Sequence, residues 1–277
     1  MTTQLGAGGE VHLINARSAG HRSLYHYQPF RGDAIGYLEQ TLRDNTIHLS
    51  RPSNFNDPWD CKLWFNGDVL DDPQERQRHL DWLIATNRLS PDDPTVEELR
   101  RDATLLRATI ELIRDGLIGA IDEQYRVYCL TPEPRSALMW SHYGDSHRGI
   151  CLEFDASVEQ MIGAYQVHYQ SQYPAVRMYE DENNASLIPV FTKSDVWSYE
   201  CEFRLLAEEG GEQRRDMLVT RDSTLRLERG ALIGVVVGCQ CEEEHARELV
   251  ERYAPELRLR RAKRDPGRYV LNLETIR

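Results

Sequence analysis

A chain of 277 residues with 40% hydrophobic and 28% charged residues can build one large core, or a core with a sizeable insertion. Its formal net charge of −12, from 45 acidic and 33 basic residues, repels phosphate backbones and argues against broad electrostatic binding to nucleic acid. No apolar run approaches membrane-spanning length and no charged-then-apolar signal pattern opens the chain, so the sequence reads as cytoplasmic with no membrane partner.

Residues 1–22, rich in Gly, Thr, Ala and Ser, read as a flexible leader to a single domain over 23–277. Residues 23–27 read as an aromatic strand, and Asp33 as the cap of a helix through Arg43 with Ile35, Leu38 and Leu42 on one face. Residues 46–50 alternate like a second strand and lead to a turn at 55–60. Residues 71–122 change character. Thr95 and Glu98 form a capping box, and Val96, Leu99, Ala103, Leu106, Ile110, Ile113 and Leu117 recur at spacings of three and four. With residues 74–86 as its partner, this stretch is expected to be an inserted helical hairpin. It packs on the core or offers a surface for a homodimer or another partner. Strands return at 126–130, 149–154, 165–169, 203–207, 225–228 and 232–238. The last is apolar on both faces and so central. A helix at 242–253 and strands near 257–261 and 269–273 close the chain. Strands outnumber helices without alternating regularly, which predicts an α+β fold: a mixed, mostly antiparallel β core with flanking helices.

Three strings mix aromatic rings with polar and charged groups, the composition of a pocket for a polar, ring-bearing ligand. The first, at 55–60, places Asn56 and Asp57 before Pro58. It is either a plain turn with Phe55 and Trp59 in the core, or an amide and a carboxylate presented to ligand hydroxyls. The second places Trp140, His142, Tyr143 and His147 within eight residues. A binding role and a structural one are equally open for it. The third runs from Trp197 to Arg204. If extended, Glu200, Glu202 and Arg204 share one face, with Arg204 compensating two carboxylates; an edge-strand ion pair is the competing reading. No metal is assigned: His142 and His147 lack the helical i, i+4 spacing, and Cys239 and Cys241 have no second pair at metal-site distance. The six cysteines read as reduced thiols.

Taken in order, Tyr-x-Tyr (25–27), Phe-Asn-Asp-Pro (55–58), Cys-Leu-Thr (129–131), Met-Trp-x-His-Tyr (139–143), His-x-Gly (147–149) and Trp-x-Tyr-Glu-x-Glu-x-Arg (197–204) resemble the bacterial family called domain of unknown function 2971. The likeness runs from about Leu24 to the end. More remotely, the first strand with His26 and the late Glu-x-Glu look like ADP-ribosyltransferases of the DNA-targeting toxin type. That resemblance implies NAD as substrate and cleavage of its nicotinamide–ribose bond through an oxocarbenium-like state. Glu202 would stabilise that state with His142 and Tyr143 as catalytic partners. Tyr27 or Tyr143 would stack on nicotinamide, and His26 or Arg204 would steady ribose or diphosphate. Tyr25, Asn56, Asp57, Trp140, His147 and Glu200 complete the expected cofactor contacts. The expected function is an NAD-dependent transferase or NAD hydrolase, a phage-defence or toxin effector whose partners are a nucleotide substrate and an unidentified acceptor macromolecule. The sequence departs from the arginine-specific branch in lacking a Ser-Thr-Ser string. Two alternatives remain: a metal-dependent hydrolase or nuclease using Asp57, Asp60, His142, His147 and Glu202, and a non-catalytic ligand sensor or partner-binding module.

Overall fold

The computed structural model describes residues 13–87, 89–179, 188–212 and 217–276; residues 1–12 of the expected leader lie outside the described residues. In chain order the elements are β1 (Ser23–Gln28), α1 (Ala34–Asp44), β2 (Thr46–His48), α2 (Pro73–Asn87), α3 (Pro94–Arg101), α4 (Ala103–Gln124), β3 (Tyr125–Leu130), α5 (Ala137–His142), β4 (Ile150–Asp155), α6 (Glu159–Ile162), β5 (Ala164–Gln166), β6 (His168–Gln170), β7 (Thr192–Ser194), β8 (Phe203–Glu209), β9 (Leu218–Thr220), β10 (Thr224–Arg226), β11 (Leu232–Val237), α7 (Glu243–Tyr253), β12 (Arg258–Arg264) and β13 (Leu271–Thr275). The fold is α+β with mostly antiparallel sheets. The chain divides into two compact units: residues 55–123 with 168–195, and residues 13–54 with 124–167 and 196–277.

The larger unit contains a five-stranded sheet in the order β1-β4-β11-β12-β13, in which only the β11–β12 pair is parallel. Its middle strand is β11, whose apolar residues on both faces suit a strand covered on both sides. A second sheet, β3-β8-β5 with β9 beside β8, packs against it. Leu24, Leu152, Phe154, Val235 and Leu259 of the first sheet share one core with Tyr128, Leu130, Phe203 and Leu205 of the second. Helices α1 and α7 add Leu38, Leu42, Leu249 and Val250 to it. Strand residues alternate between faces. The opposite face of the first sheet therefore carries Tyr25, Tyr27, Cys151, Val236 and Ala262, packed on Met139 and Trp140 of α5.

In the smaller unit, α2, α3 and α4 bury Leu80, Leu83, Val96, Leu99, Leu106 and Ile110 in a core of their own. The excursion is helical as the sequence predicts, with one more break than its periodicity shows. Helix α3 ends at Arg101, and the Asp102 carboxylate accepts from the Thr104 and Leu105 amides to restart the chain as α4. The cap of α3 is Asp93, not Thr95: its carboxylate accepts from the Thr95 amide, with Pro94 in the first turn. Asp33 likewise makes no side-chain cap to α1. The expected strand at 165–169 is two strands, β5 and β6, interrupted at Val167.

Candidate functional site

The first structural correction concerns the third string. Residues Asp195–Glu200 form a 3-10 helix, and Cys201 takes a left-handed backbone with φ 47°. The reversal at Cys201 breaks any continuous strand, so Glu200 cannot share a strand face with Glu202 and Arg204. Arg204 stands on β8 and is fully buried, with its Nε 2.8 Å from Glu202 Oε1 and its Nη2 3.0 Å from Oε2. This fork-to-fork pair engages both carboxylate oxygens. Glu200 instead accepts from the Tyr143 hydroxyl at 2.6 Å and is buried.

The second string forms α5 and the loop after it. Ser136 caps the helix by accepting from the Met139 amide, and Trp140 is buried with its indole N–H donating to the Pro134 carbonyl at 3.0 Å. His142 is exposed, with Nδ1 2.9 Å from the Tyr199 hydroxyl and edge-on contacts to Trp197 and Tyr199. The structure thus joins the second and third strings, through His142 with Tyr199 and Trp197 and through Tyr143 with Glu200. The first string, with Asn56 and Asp57, belongs to the smaller unit.

Asp145, Ser146 and His147 follow α5 with φ of 49°, 53° and 68°, three consecutive non-glycine residues in the left-handed region. Each such residue costs roughly 1–2 kcal/mol. The loop holds this shape through His147 N–H to the Trp140 carbonyl and Gly149 N–H to the Gly144 carbonyl. Gly149 is required where it stands, because a Cβ there would collide with the Gln28 carbonyl. His147 contributes to the wall of a groove of about 850 Å³ with Arg261, Lys263, Arg264 and Arg268. Desolvation lowers its pKa from the usual histidine value.

Tyr25 and Tyr27 point away from His26 and into the opposite face of the sheet. Tyr25 donates to Glu153 Oε1 at 2.9 Å, and Arg260 and Arg258 approach the same carboxylate at 2.5 and 3.3 Å. Tyr25, Glu153, Gly234 and Arg258 are direct cross-strand neighbours on β1, β4, β11 and β12. Gly234 leaves the gap through which Glu153 reaches the arginines: a Cβ there would lie 2.8 Å from Glu153 Oε2. Tyr27 donates to the Glu133 carbonyl at 2.6 Å and meets the Trp140 ring edge-on. Glu153 was legible only as one charge inside the apolar strand at 150–154, which sequence reasoning passed over.

His26 faces the other way, into a pocket of about 350 Å³. Its Nδ1 lies 2.8 Å from the Cys129 carbonyl, which can only accept, so Nδ1 carries the proton. Nε2 is left as an acceptor with no protein partner among the described residues. The ring stacks on Tyr128 at 4.0 Å and 21°. Burial lowers the His26 pKa to about 4, against the raising effect of the Cys129 hydrogen bond, and keeps the ring neutral. Tyr37 and His48 form a second stacked pair in the walls, joined by Gln28, Gln40, Thr41, Thr46, Ser50 and Thr224. The described walls contain rings, hydroxyls and amides, and no Asp, Glu, Lys or Arg. Tyr37, His48 and Tyr128 were missed by sequence reasoning, because only the packing of β1, β3, α1 and β2 assembles them.

Residues 139–205 match the family model described as "Protein of unknown function (DUF2971)". Over this segment the chain is similar to that family. The matched stretch spans α5 to the start of β8, and so includes both the His142–Tyr199 and Tyr143–Glu200 contacts. No curated protein and no solved structure matches the chain. Among the described residues no group of three or more His, Cys, Asp or Glu side chains is placed to hold a metal ion. Asp57 and Asp60 lie in one unit while His142, His147 and Glu202 lie in the other. No helix among the described residues is long and apolar enough to cross a membrane.

Proposed function

We propose that the larger unit binds the nucleoside end of NAD in the His26 pocket, and that the chain is an NAD-dependent ADP-ribosyltransferase-like enzyme or NAD hydrolase acting in the cytoplasm. The observation that carries the binding step is the uncharged wall of rings, hydroxyls and amides around a histidine held in one tautomer. A neutral ring and its ribose are matched by stacking surfaces and by groups that both donate and accept. An anionic ligand would find no charge complement there. Neutral His26 presents Nε2 as an acceptor for a ribose hydroxyl or an exocyclic amide.

The glycosyl-transfer step rests on the resemblance and on Glu202, which does not line this pocket. Both Glu202 oxygens are held by the Arg204 guanidinium, and a carboxylate fixed in this way is the kind of group that stabilises a developing oxocarbenium ion. A toxin or defence role, and an acceptor macromolecule, belong to the same proposal. The engagement of both Glu202 oxygens by Arg204 favours a second reading, in which the pocket senses a nucleotide without turning it over. Nicotinamide release on incubation with NAD separates the two: release above the uncatalysed rate supports the enzyme, and binding without release supports the sensor.

A further inference from the structure

The smaller unit contains a polar cavity of about 280 Å³, walled by Asp57, Asp60, Tyr173, Thr192 and Lys193. Trp59, Gln170, Ser171, Gln172, Pro174 and Ser194 complete the wall. Burying charge is costly unless it is compensated. Here three charged side chains lie inside one small wall, with Asp57 and Asp60 each 4% exposed and Lys193 7% exposed. Lys193 Nζ stands 3.7 Å from Asp60 Oδ2, so these two largely offset one another.

Asp57 and Thr192 retain unused capacity. The Asp57 carboxylate accepts from the Trp59 amide at 3.0 Å, which takes one of its roughly four lone-pair sites. Thr192 is 7% exposed, and its hydroxyl has no hydrogen-bond partner among the described residues. A buried hydroxyl without a partner is uncommon and marks a position where a further group belongs. Tyr173 is not the missing partner: its hydroxyl donates to the Trp59 and Lys62 carbonyls at 3.1 and 2.7 Å. Its pKa is pushed up to about 12, first by burial and then by Asp60 and Asp57, so it remains a donor. Aromatic surface is at hand, since Trp64 stacks on Tyr173 and Trp59 is 63% exposed.

We propose that this cavity is a second ligand site, for a neutral polyhydroxylated ring of monosaccharide size. Its volume falls just below the usual range of roughly 300–1,000 Å³ for ligand pockets, which limits the occupant to a small molecule. Ring hydroxyls donate to Asp57 and exchange hydrogen bonds with Thr192, Ser194 and the two glutamine amides. Asp60 is already matched by Lys193, whose ammonium repels a second cation at that carboxylate, and the two carboxylates oppose an anion. A hydroxylated neutral ring is the class that meets neither repulsion. The apolar face of such a ring has the Trp59 indole to pack on.

The test is calorimetric titration of the full chain with D-ribose, D-glucose, D-galactose and myo-inositol, with putrescine and inorganic phosphate as charged controls. We expect at least one of the four neutral compounds to bind and both controls to fail. Thr192→Val keeps the side-chain shape and removes the hydroxyl, and Asp57→Asn removes the charge. Each should weaken binding roughly tenfold, the effect of one hydrogen bond of about 1.4 kcal/mol. Trp59→Ala, at a position 63% exposed, should weaken it as well. Absence of binding by all four neutral compounds would overturn the proposal and leave water as the occupant. Binding of putrescine or phosphate in their place would also overturn it, as would unchanged affinity in the Thr192→Val and Trp59→Ala proteins.

Discussion

Protonation of His26 should cost the folded state measurable stability, and the cost can be worked out. The unfolded ring titrates near 6.5, whereas the folded ring is held down to about 4 by burial. A depressed histidine pKa means that the fold binds the neutral ring better than the charged one. The contribution is therefore complete above pH 6.5. It is lost as pH falls from 6.5 towards 4, because the unfolded chain takes up the proton first. At about 1.36 kcal/mol per pKa unit, the full shift is worth up to about 3 kcal/mol, less to the extent that the ring edge is wetted by the pocket. The assay is urea unfolding of the native protein and of His26→Leu at pH 7.5, 6.0 and 4.5. The leucine protein starts less stable, since the buried Cys129 carbonyl loses its donor at a cost of about 1–3 kcal/mol. That deficit is independent of pH, while all other acid-linked effects are common to both proteins. The gap should narrow by about 2 kcal/mol or more by pH 4.5. A gap that stays constant across the range would refute the lowered His26 pKa.

Other residues give independent checks. Glu153→Ala leaves the half-buried Arg260 without its carboxylate and should lower stability by about 3–5 kcal/mol, read from the urea midpoint. Gly234→Ala drives a methyl against Glu153 and the Arg258 carbonyl and should cost about 1–3 kcal/mol. Gly116→Ala, on the open face of α4 with nothing within 4 Å of the new methyl, should instead gain up to about 1 kcal/mol. If the chain turns over NAD, Glu202→Gln should reduce nicotinamide release by roughly 10²–10³ while leaving NAD binding intact, with melting temperature followed on the same samples.

The sequence shows some elements clearly and hides others for identifiable reasons. Residues 232–237 are legible as a central strand because a strand covered on both faces must be apolar on both, and β11 is the middle of its sheet. The helical character of residues 73–124 is legible in the same way, from the spacing of Val96, Leu99, Leu106 and Ile110. Residues 197–204 misled because Trp197, Tyr199, Cys201 and Phe203 alternate with polar residues as a strand would. The left-handed backbone at Cys201 that ends this alternation has no glycine to announce it. The rings of strings two and three were recognisable as a group, and two of their pairings are observed. The His26 pocket was not recognisable beyond His26 itself. Its other rings come from three separate elements, and only the register and packing of those elements bring Tyr37, His48 and Tyr128 together.

The central claim, that the larger unit receives the nucleoside end of NAD beside neutral His26, is tested most directly by calorimetric titration of NAD into the native protein, His26→Leu and Tyr37→Ala. Tyr37 is 56% exposed, so its truncation changes the pocket wall without unfolding the chain. The account predicts binding to the native protein at pH 7.5. Both substitutions should weaken it about three- to tenfold, the scale of one lost hydrogen bond or one lost stacking face. Absence of NAD binding to the native protein, or equal affinity in all three, would contradict it.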